Sequence, residues 1–434
     1  MNTPRPPAIA LTTLGCKVNQ AETEVLSRRF AAAGFRLASF DAPADAYILN
    51  TCTVTHIADR KARQLLRQAR RRNPHALVVA TGCYATTDAD ALQAIPGLDL
   101  VVPNSQKAEL VALVAERLDV LAAEQSATVA SAPGSRTRAL VKVQDGCDNF
   151  CAYCIVPFAR GKPTSTGLDQ AVTQVAALAR EGYQEVVLTG VHLGLWGRDL
   201  PGRDMDLTAL VRAILRETSI PRLRLSSIEP QDFTAGFLDL WSDRRLCRHL
   251  HLPLQSGCEA TLHRMGRRYT AAAFAQLASQ ARAAIPGVAI TTDMIAGLPG
   301  ETAAEFAESL AFARGQGFAR IHVFKFSPRR GTRAATMPDQ TPEQAKQARS
   351  QALAALSAEG SRAFRKAFVG KEVDVLWEER VVTGEPGSRG AWAGLTDNYI
   401  RVVMPGGGDI ENRVTSVRLT GLAGETMTGQ PGNE

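Results

Sequence analysis

Nowhere in these 434 residues do twenty apolar residues follow one another. A membrane-spanning helix needs about 20, so none is expected. The opening Met-Asn-Thr-Pro-Arg-Pro-Pro has no apolar signal core, so the expectation is a cytoplasmic chain. Histidine is scarce at seven residues, and none lies within twenty positions of the segment from Cys147 to Cys154. No Ser-His-Asp or paired-carboxylate arrangement stands out, which leaves hydrolytic chemistry without carriers. What is present is a hydrophobic fraction of 45%, normal for a chain with real cores, and a length that suggests two or three domains. The net charge of +7 favours a polyanionic partner without establishing one. Eight cysteines in a chain of this length point to a reducing compartment and to metal or redox chemistry.

Three of those cysteines form the run Cys147-Asp148-Asn149-Phe150-Cys151-Ala152-Tyr153-Cys154, a C-x3-C-x2-C loop. Three thiolates can hold three irons of a [4Fe-4S] cluster and leave the fourth open to bind and reduce a small molecule. Structural zinc is the competitor, but it takes four closed ligands, usually as two pairs, and the second pair is missing. A structural disulfide is the third reading.

The first third alternates strand and helix signals. Apolar runs at Ile9–Leu14, Ala46–Asn50, Leu77–Thr81 and Leu98–Val102 are separated by helical stretches at Glu22–Ala33, Asp59–Arg72 and Thr87–Ala94. This predicts a doubly wound α/β domain over 1–120, with its ligand site at the carboxyl ends of the strands. Cys16, Cys52 and Cys83 each follow one of the first three runs. Their shared placement predicts a second three-cysteine site; the plainer reading is three buried small hydrophobes.

Residues 121–137 are rich in Ala and Ser and read as a linker. From 138 to 340, runs at Ala139–Val143, Glu185–Thr189, Arg222–Ser226, Leu250–Leu254, Val288–Ile295 and Ile321–Phe326 alternate with helical segments such as Asp169–Glu181 and Thr270–Ala284. Six β/α units predict a partial parallel barrel whose active site lies at the C-terminal strand ends. The cysteine loop follows the first strand, Thr189-Gly190-Val191-His192 the second, and Gly297-Leu298-Pro299-Gly300 the fifth. A connecting helix over 341–360, within a helical stretch Thr341–Phe368, presents Glu343, Lys346 and Arg349 on a solvated side. Short strands over 361–425 then suggest a small β-barrel. From Ser361 to Glu434 nine basic residues face ten acidic ones, so composition does not mark this module as binding nucleic acid. Cations collect instead at Arg60, Lys61, Arg63, Arg67, Arg70, Arg71 and Arg72, with 60, 63, 67 and 70 at helical spacing and no acid among them. Phosphate binding and a solvated face both remain open. Arg264, Arg267 and Arg268, and Arg329, Arg330 and Arg333, form weaker groups of the same kind.

The Cys147–Cys154 loop is similar to the cluster loop of radical S-adenosylmethionine enzymes. With Cys16, Cys52, Cys83 and the small C-terminal barrel, the chain from Ile9 to Leu422 resembles the methylthiotransferase family. Thr13-Leu14-Gly15-Cys16-Lys17-Val18-Asn19-Gln20 and Asn50-Thr51-Cys52-Thr53-Val54-Thr55 resemble the branch acting on threonylcarbamoyladenosine in tRNA. Branches acting on isopentenyladenosine or on a ribosomal-protein aspartate usually read Gly-Cys-Gln-Met-Asn or Gly-Cys-Pro-Lys-Asn there.

The resemblance implies two [4Fe-4S] clusters. The one on Cys147, Cys151 and Cys154 would cleave S-adenosylmethionine to a 5′-deoxyadenosyl radical, and the one on Cys16, Cys52 and Cys83 would hold or donate sulfur. It further implies tRNA as substrate, a reductase as electron donor, and a TRAM-like, RNA-contacting C-terminal barrel. S-adenosylmethionine contacts are implied at Tyr153, Thr189, Gly190, His192, Ser227, Glu229, Gly297 and Gly300, and RNA contacts are expected at Arg60, Arg63, Arg67 and Arg70. Two other classes stay in view: an iron–sulfur electron carrier, and an RNA-binding protein whose metal is structural.

Overall fold

The computed structural model describes residues 5–119, 137–201, 205–381, 390–406 and 408–432. The 121–137 linker assigned from composition lies almost wholly outside them. The N-terminal part is a five-stranded, all-parallel sheet of β1 (Ala8–Thr13), β2 (Arg36–Ala38), β3 (Ala46–Thr51), β4 (Leu77–Gly82) and β5 (Leu100–Val102), in the order β2-β1-β3-β4-β5. Adjacent residues on one strand serve opposite cores. Leu49 and Val78 pack on one face and Ile48 and Val79 on the other, which is why these strands read as unbroken apolar runs. Strand order reverses between β1 and β3, and sheets of this kind place their ligand crevice at that reversal.

Three helices matter for the site: α1 (Lys17–Ala32), α2 (His56–Arg72) and the short α3 (Cys83–Thr87). The helix α1 starts five residues earlier than its hydrophobic pattern suggests, because Cys16 itself is the N-cap. The predicted Thr87–Ala94 helix is instead two short pieces, Cys83–Thr87 and Ala89–Gln93, interrupted at Asp88, which has non-helical dihedrals.

The central part contributes β6 (Arg138–Lys142), β7 (Glu185–Thr189), β8 (Arg222–Leu225), β9 (His249–His251), β10 (Ala289–Ala296) and β11 (Arg320–Lys325). They form two parallel three-stranded sheets, β6-β7-β8 and β9-β10-β11, joined by parallel bridges Leu223–Leu246 and Ser227–His251. The result is an open barrel of six strands in chain order. The N-terminal layer lies across both of its edges. On the β6 side Lys142 pairs with Glu22 at 2.9 Å. Beyond β11, Ser327 accepts from the His56 amide at 3.1 Å, and Arg329 pairs with Asp59 at 2.7 Å.

The cysteine loop leads into the short helix α4 (Val156–Arg160), and after β11 comes the long helix α5 (Glu343–Lys366). Lys346 and Arg349 of α5 are not on a solvated side. Lys346 is buried over the Phe326 ring, and Arg349 pairs with Glu301 at 2.6 Å. The helix needs that face to cover the Gly297–Gly300 turn. Five strands, β12 (Glu372–Val381), β13 (Ala391–Thr396), β14 (Arg401–Pro405), β15 (Val414–Ala423) and β16 (Thr426–Pro431), close into a small barrel. Its β13–β14 turn docks on the starts of the central strands, where Arg224 donates to the Asp397 carbonyl and stacks 4.1 Å from the Tyr399 ring. Among the described residues no helix is long and apolar enough to cross a membrane.

Candidate functional site

Cys16, Cys52 and Cys83 sit at the carboxyl ends of β1, β3 and β4, around the point where the strand order reverses. Asn19 ties the first two loops together, donating from Nδ2 to the carbonyls of Leu14 (2.8 Å) and Thr51 (3.0 Å). Gly15 is required between them: at φ +106° a Cβ there would stand 2.6 Å from Cys52 Cβ. The thiols lie within electrostatic reach of one another. Burial pushes the Cys52 thiol up to about 12. Burial also raises Cys83, against the opposing pull of Arg160.

The second set, Cys147, Cys151 and Cys154, lies on the loop after β6. The loop is closed by bonds from the Cys147 amide to Gly161 O (3.0 Å) and from the Cys154 amide to Cys151 O (2.9 Å). Burial pushes the Cys154 thiol up to about 12 and raises Cys151, where Arg267 opposes it. Arg267 Nη1 is 3.5 Å from Cys151 Sγ and 3.4 Å from the Tyr153 hydroxyl, and its Nη2 is bonded to Glu229. His192 Nδ1 stands 3.7 Å from Cys147 Sγ, while Nε2 is bonded to Asp232. Burial works against an imidazolium there; the Asp232 and Cys147 partners outweigh it and raise His192 to about 9.

A cavity of about 170 Å³ opens beside Cys154 of the second set. Val54 and Thr55, which follow Cys52, form one wall, Tyr153–Val156 another, and Gln255, Asp293 and Phe324 part of the barrel side. Arg160 joins the two halves. Its side chain, 2% exposed, bonds Glu22 and Asp145 at 2.9 and 2.8 Å, and it is bonded to Asn19 in the first turn of α1, just after Cys16. Lys107 completes the group on Glu22 at 2.6 Å. Glu22 is lowered far below the carboxylate range: burial opposes ionisation, and Lys107, Arg160 and Lys142 overcome it.

The remaining sequence-predicted residues divide. Thr189 is buried at the end of β7, and Gly190 has Gln144 Oε1 within 2.8 Å of where a Cβ would lie. Ser227 bridges to His251, and Glu229 is held by Arg267 near Cys151. A Cβ on Gly297, at φ +79°, would stand 2.5 Å from Lys346 Cγ, and one on Gly300 would stand 3.4 Å from Arg264 Nε. The close approach that Gly297 permits is therefore to the chain itself. The basic row on α2 also divides. Arg63 bonds the Tyr84 hydroxyl (2.9 Å), Arg70 bonds Asp99 and the carbonyls of Gly97 and Pro74, and Arg72 bonds Asp41 and Phe40 O. Arg60, Lys61, Arg67 and Arg71 are exposed. Of the weaker groups, Arg267 belongs to the cysteine loop, Arg264 pairs with Glu305, and Arg329 belongs to the contact between layers.

Sequence reading missed the lumen wall beneath the cavity. Asp293 and His322 lie opposite each other on β10 and β11. With His251 they bring three ligand atoms within 4.8 Å of one another, the only such compact group among the described residues, so neither thiol set is that tight. The signal was available as alternation on the edge strand β11, where His322 and Phe324 are exposed and Ile321 is buried.

Residues 8–103 match the family model described as Uncharacterized protein family UPF0004, and residues 141–313 match the Radical SAM superfamily. The threonylcarbamoyladenosine tRNA methylthiotransferase MtaB of Bacillus subtilis is 36% identical over 98% of this chain and 95% of its own length. The protein of the same name from Thermotoga maritima is 35% identical over 96% and 95%. The tRNA-2-methylthio-N(6)-dimethylallyladenosine synthase of Moorella thermoacetica is 33% identical over 96% and 98%. Among solved structures, the radical S-adenosylmethionine methyltransferase TsrM from Kitasatospora setae superposes with a TM-score of 0.54 at 16% identity, over 74% of this chain and 75% of that one, which shows a shared fold.

Proposed function

The chain belongs to the radical S-adenosylmethionine methylthiotransferase family, and on that premise we propose that it adds a methylthio group at C2 of N6-threonylcarbamoyladenosine, at position 37 beside the tRNA anticodon. The observation that carries this reading is one cavity flanked by loops from two separate three-thiol sets. The substrate branch is supported by four relatives named for threonylcarbamoyladenosine, at 33–36% identity.

Family membership implies a [4Fe-4S] cluster and S-adenosylmethionine. The donor set on the Cys147 loop fits: three soft sulfurs, spread too widely for one small ion, beside a cavity. When bound there, the cluster and S-adenosylmethionine supply the radical that removes hydrogen from an unactivated aromatic C–H. A second cluster on Cys16, Cys52 and Cys83 would supply sulfur, and a cytoplasmic reductase the electrons. The chain's own contributions are positional. Arg267 places a cation beside Cys151 and holds Glu229 and the Tyr153 hydroxyl in one network. Asp232 fixes the His192 ring against Cys147. Val54 and Phe324 supply apolar wall to the cavity beside Cys154, which limits the water that can share the space with a reacting base. The exposed cations of α2 and the TRAM-like closed barrel are the RNA-facing elements of this reading.

Mass spectrometry of tRNA nucleosides tests it. A strain lacking the chain should accumulate threonylcarbamoyladenosine and lose its 2-methylthio derivative, and the wild-type gene should restore it. Unchanged nucleosides would move the substrate elsewhere.

A further inference from the structure

The lumen wall below the cavity carries polar chemistry that a purely apolar substrate group would leave unpaired. His251 Nε2 stands 3.2 Å from Asp293 Oδ2, its Nδ1 is held at 3.0 Å by Thr291 Oγ1, and the His322 ring lies 5.6 Å from the His251 ring. Asp293 also lines the cavity beside Cys154, so this group and the cavity share a wall. From the opposite layer Lys17, the residue after Cys16, extends its ammonium to 5.9 Å from the centre of the Tyr399 ring. Among the described residues no ion pair joins it to a carboxylate, and its charge is felt by His322. A cation with no carboxylate partner, a carboxylate and two imidazoles therefore border one lumen.

We propose that Lys17, Asp293 and His322 read the N6 substituent of the target adenosine, with the Lys17 ammonium receiving a carboxylate and Asp293 and His322 the neighbouring hydroxyl and ureido N–H groups. This rests on the threonylcarbamoyladenosine reading above. A threonine joined through a urea to N6 presents that combination: one anion, one hydroxyl and two N–H donors. An isopentenyl group presents none of them and would give the Lys17 charge no anion to answer it, the arrangement by which sites reject a substrate lacking polar groups. The tether matters as well. Because Lys17 is adjacent to Cys16, holding the substituent fixes the base relative to the sulfur-bearing set. His251, Asp293 and His322 also have the composition of a two-histidine, one-carboxylate metal site. The Lys17 cation from the facing layer and the Asp293–His251 contact already made favour a polar organic ligand.

The test uses the reconstituted full-length enzyme and two anticodon stem-loop RNAs. One carries threonylcarbamoyladenosine; the other carries the same group with its carboxylate converted to a primary amide. Wild type should favour the carboxylate substrate by about 10- to 100-fold in kcat/KM, the range expected for a charge-assisted contact. Lys17→Met should lose that preference, its kcat/KM values on the two RNAs converging, and Lys17→Arg should recover much of it. His322→Ala should weaken both substrates alike. Iron content and thermal midpoint establish that each variant is folded and loaded. Retention of the carboxylate preference by Lys17→Met would overturn the proposal. So would a stoichiometric non-cluster metal ion that is lost in His322→Ala. Failure of the wild-type enzyme to methylthiolate the carboxylate RNA at all would instead overturn the substrate assignment beneath it.

Discussion

The division of the α2 cations sets up a quantitative experiment. Arg60, Lys61, Arg67 and Arg71 are exposed, whereas Arg70 is engaged with Asp99, Gly97 O (3.0 Å) and Pro74 O (2.6 Å). Changing the four exposed residues together to Ala removes charge without cutting an internal bond of Arg63, Arg70 or Arg72. Each phosphate contact contributes about 0.7–0.9 to the slope of log affinity against log salt. Between about 50 and 200 mM salt, one contact is thus worth about threefold in affinity, and three contacts about 30-fold. The quadruple variant should therefore bind tRNA more weakly at low salt and lose most of its salt dependence, with the two proteins converging as salt rises. Fluorescence anisotropy with labelled tRNA across a salt series reads this directly. Arg70→Ala is the control in the other direction. It should cost about 1–3 kcal/mol of stability by stranding its partners, and leave the salt slope nearly unchanged. A quadruple variant with the wild-type slope would refute the assignment of this face to phosphate. An Arg70→Ala variant with full stability and a flattened slope would refute the division of the row.

Three further outcomes follow from the site. Anaerobic reconstitution should give about eight irons per chain, falling to about four when either Cys147, Cys151 and Cys154 or Cys16, Cys52 and Cys83 are replaced by Ala; the second variant should still cleave S-adenosylmethionine but form no methylthiolated product, and product from it would reverse the assigned roles. Glu185 is buried; burial opposes its ionisation, and Arg224 and Arg222 hold it down to about 2. Its stabilisation is therefore complete above about pH 4.3, the unfolded value, and is lost as pH falls toward 2, at about 3 kcal/mol in total; urea midpoints measured from pH 6 to pH 3 should drop in the wild type and drop less steeply in Glu185→Gln. Arg160→Gln, made in the background lacking the Cys147 set, should lower the reduction potential of the remaining cluster by on the order of 50–100 mV, because a partly buried unit charge is lost nearby; an unchanged potential with full iron loading would separate Arg160 from that site.

Legibility from sequence followed the range of the interactions concerned. The three-cysteine loop, the strand-end cysteines and most strands were readable because each depends on its own neighbours along the chain. Glu185–Thr189 was located to the residue, since its apolar run is bounded by turns on both sides. The strands Arg36–Ala38 and Thr426–Pro431 were missed: one is three residues long, and the other, Thr-Met-Thr-Gly-Gln-Pro, has almost no apolar content and is held by partners on both sides. Lys346 and Arg349 were misread for a related reason. A helix face is solvated only if nothing covers it, and the Gly297–Gly300 turn comes from forty-six or more residues away. Arg63 and Arg67 are indistinguishable in the sequence; only Tyr84, brought close by the α/β fold, makes one structural and leaves the other free.

The charge balance where the layers meet links the surroundings of the two thiol sets. Lys107, Lys142 and Arg160 converge on Glu22 and Asp145, three cations against two carboxylates, with Lys107 and Arg160 almost wholly buried. A buried excess cation is costly unless an anion answers it. The Cys83 thiol also feels Arg160 and Lys107, whose charges oppose the rise that burial and Cys16 impose on it. Ligation to iron deprotonates a thiol at neutral pH and supplies the missing negative charge. Loading the N-terminal set would therefore complete a network whose other members come from the central barrel, Asp145 and Arg160 flanking the Cys147 loop on either side. Assembly of one set and docking of the two layers are, on this account, coupled through the same buried charges.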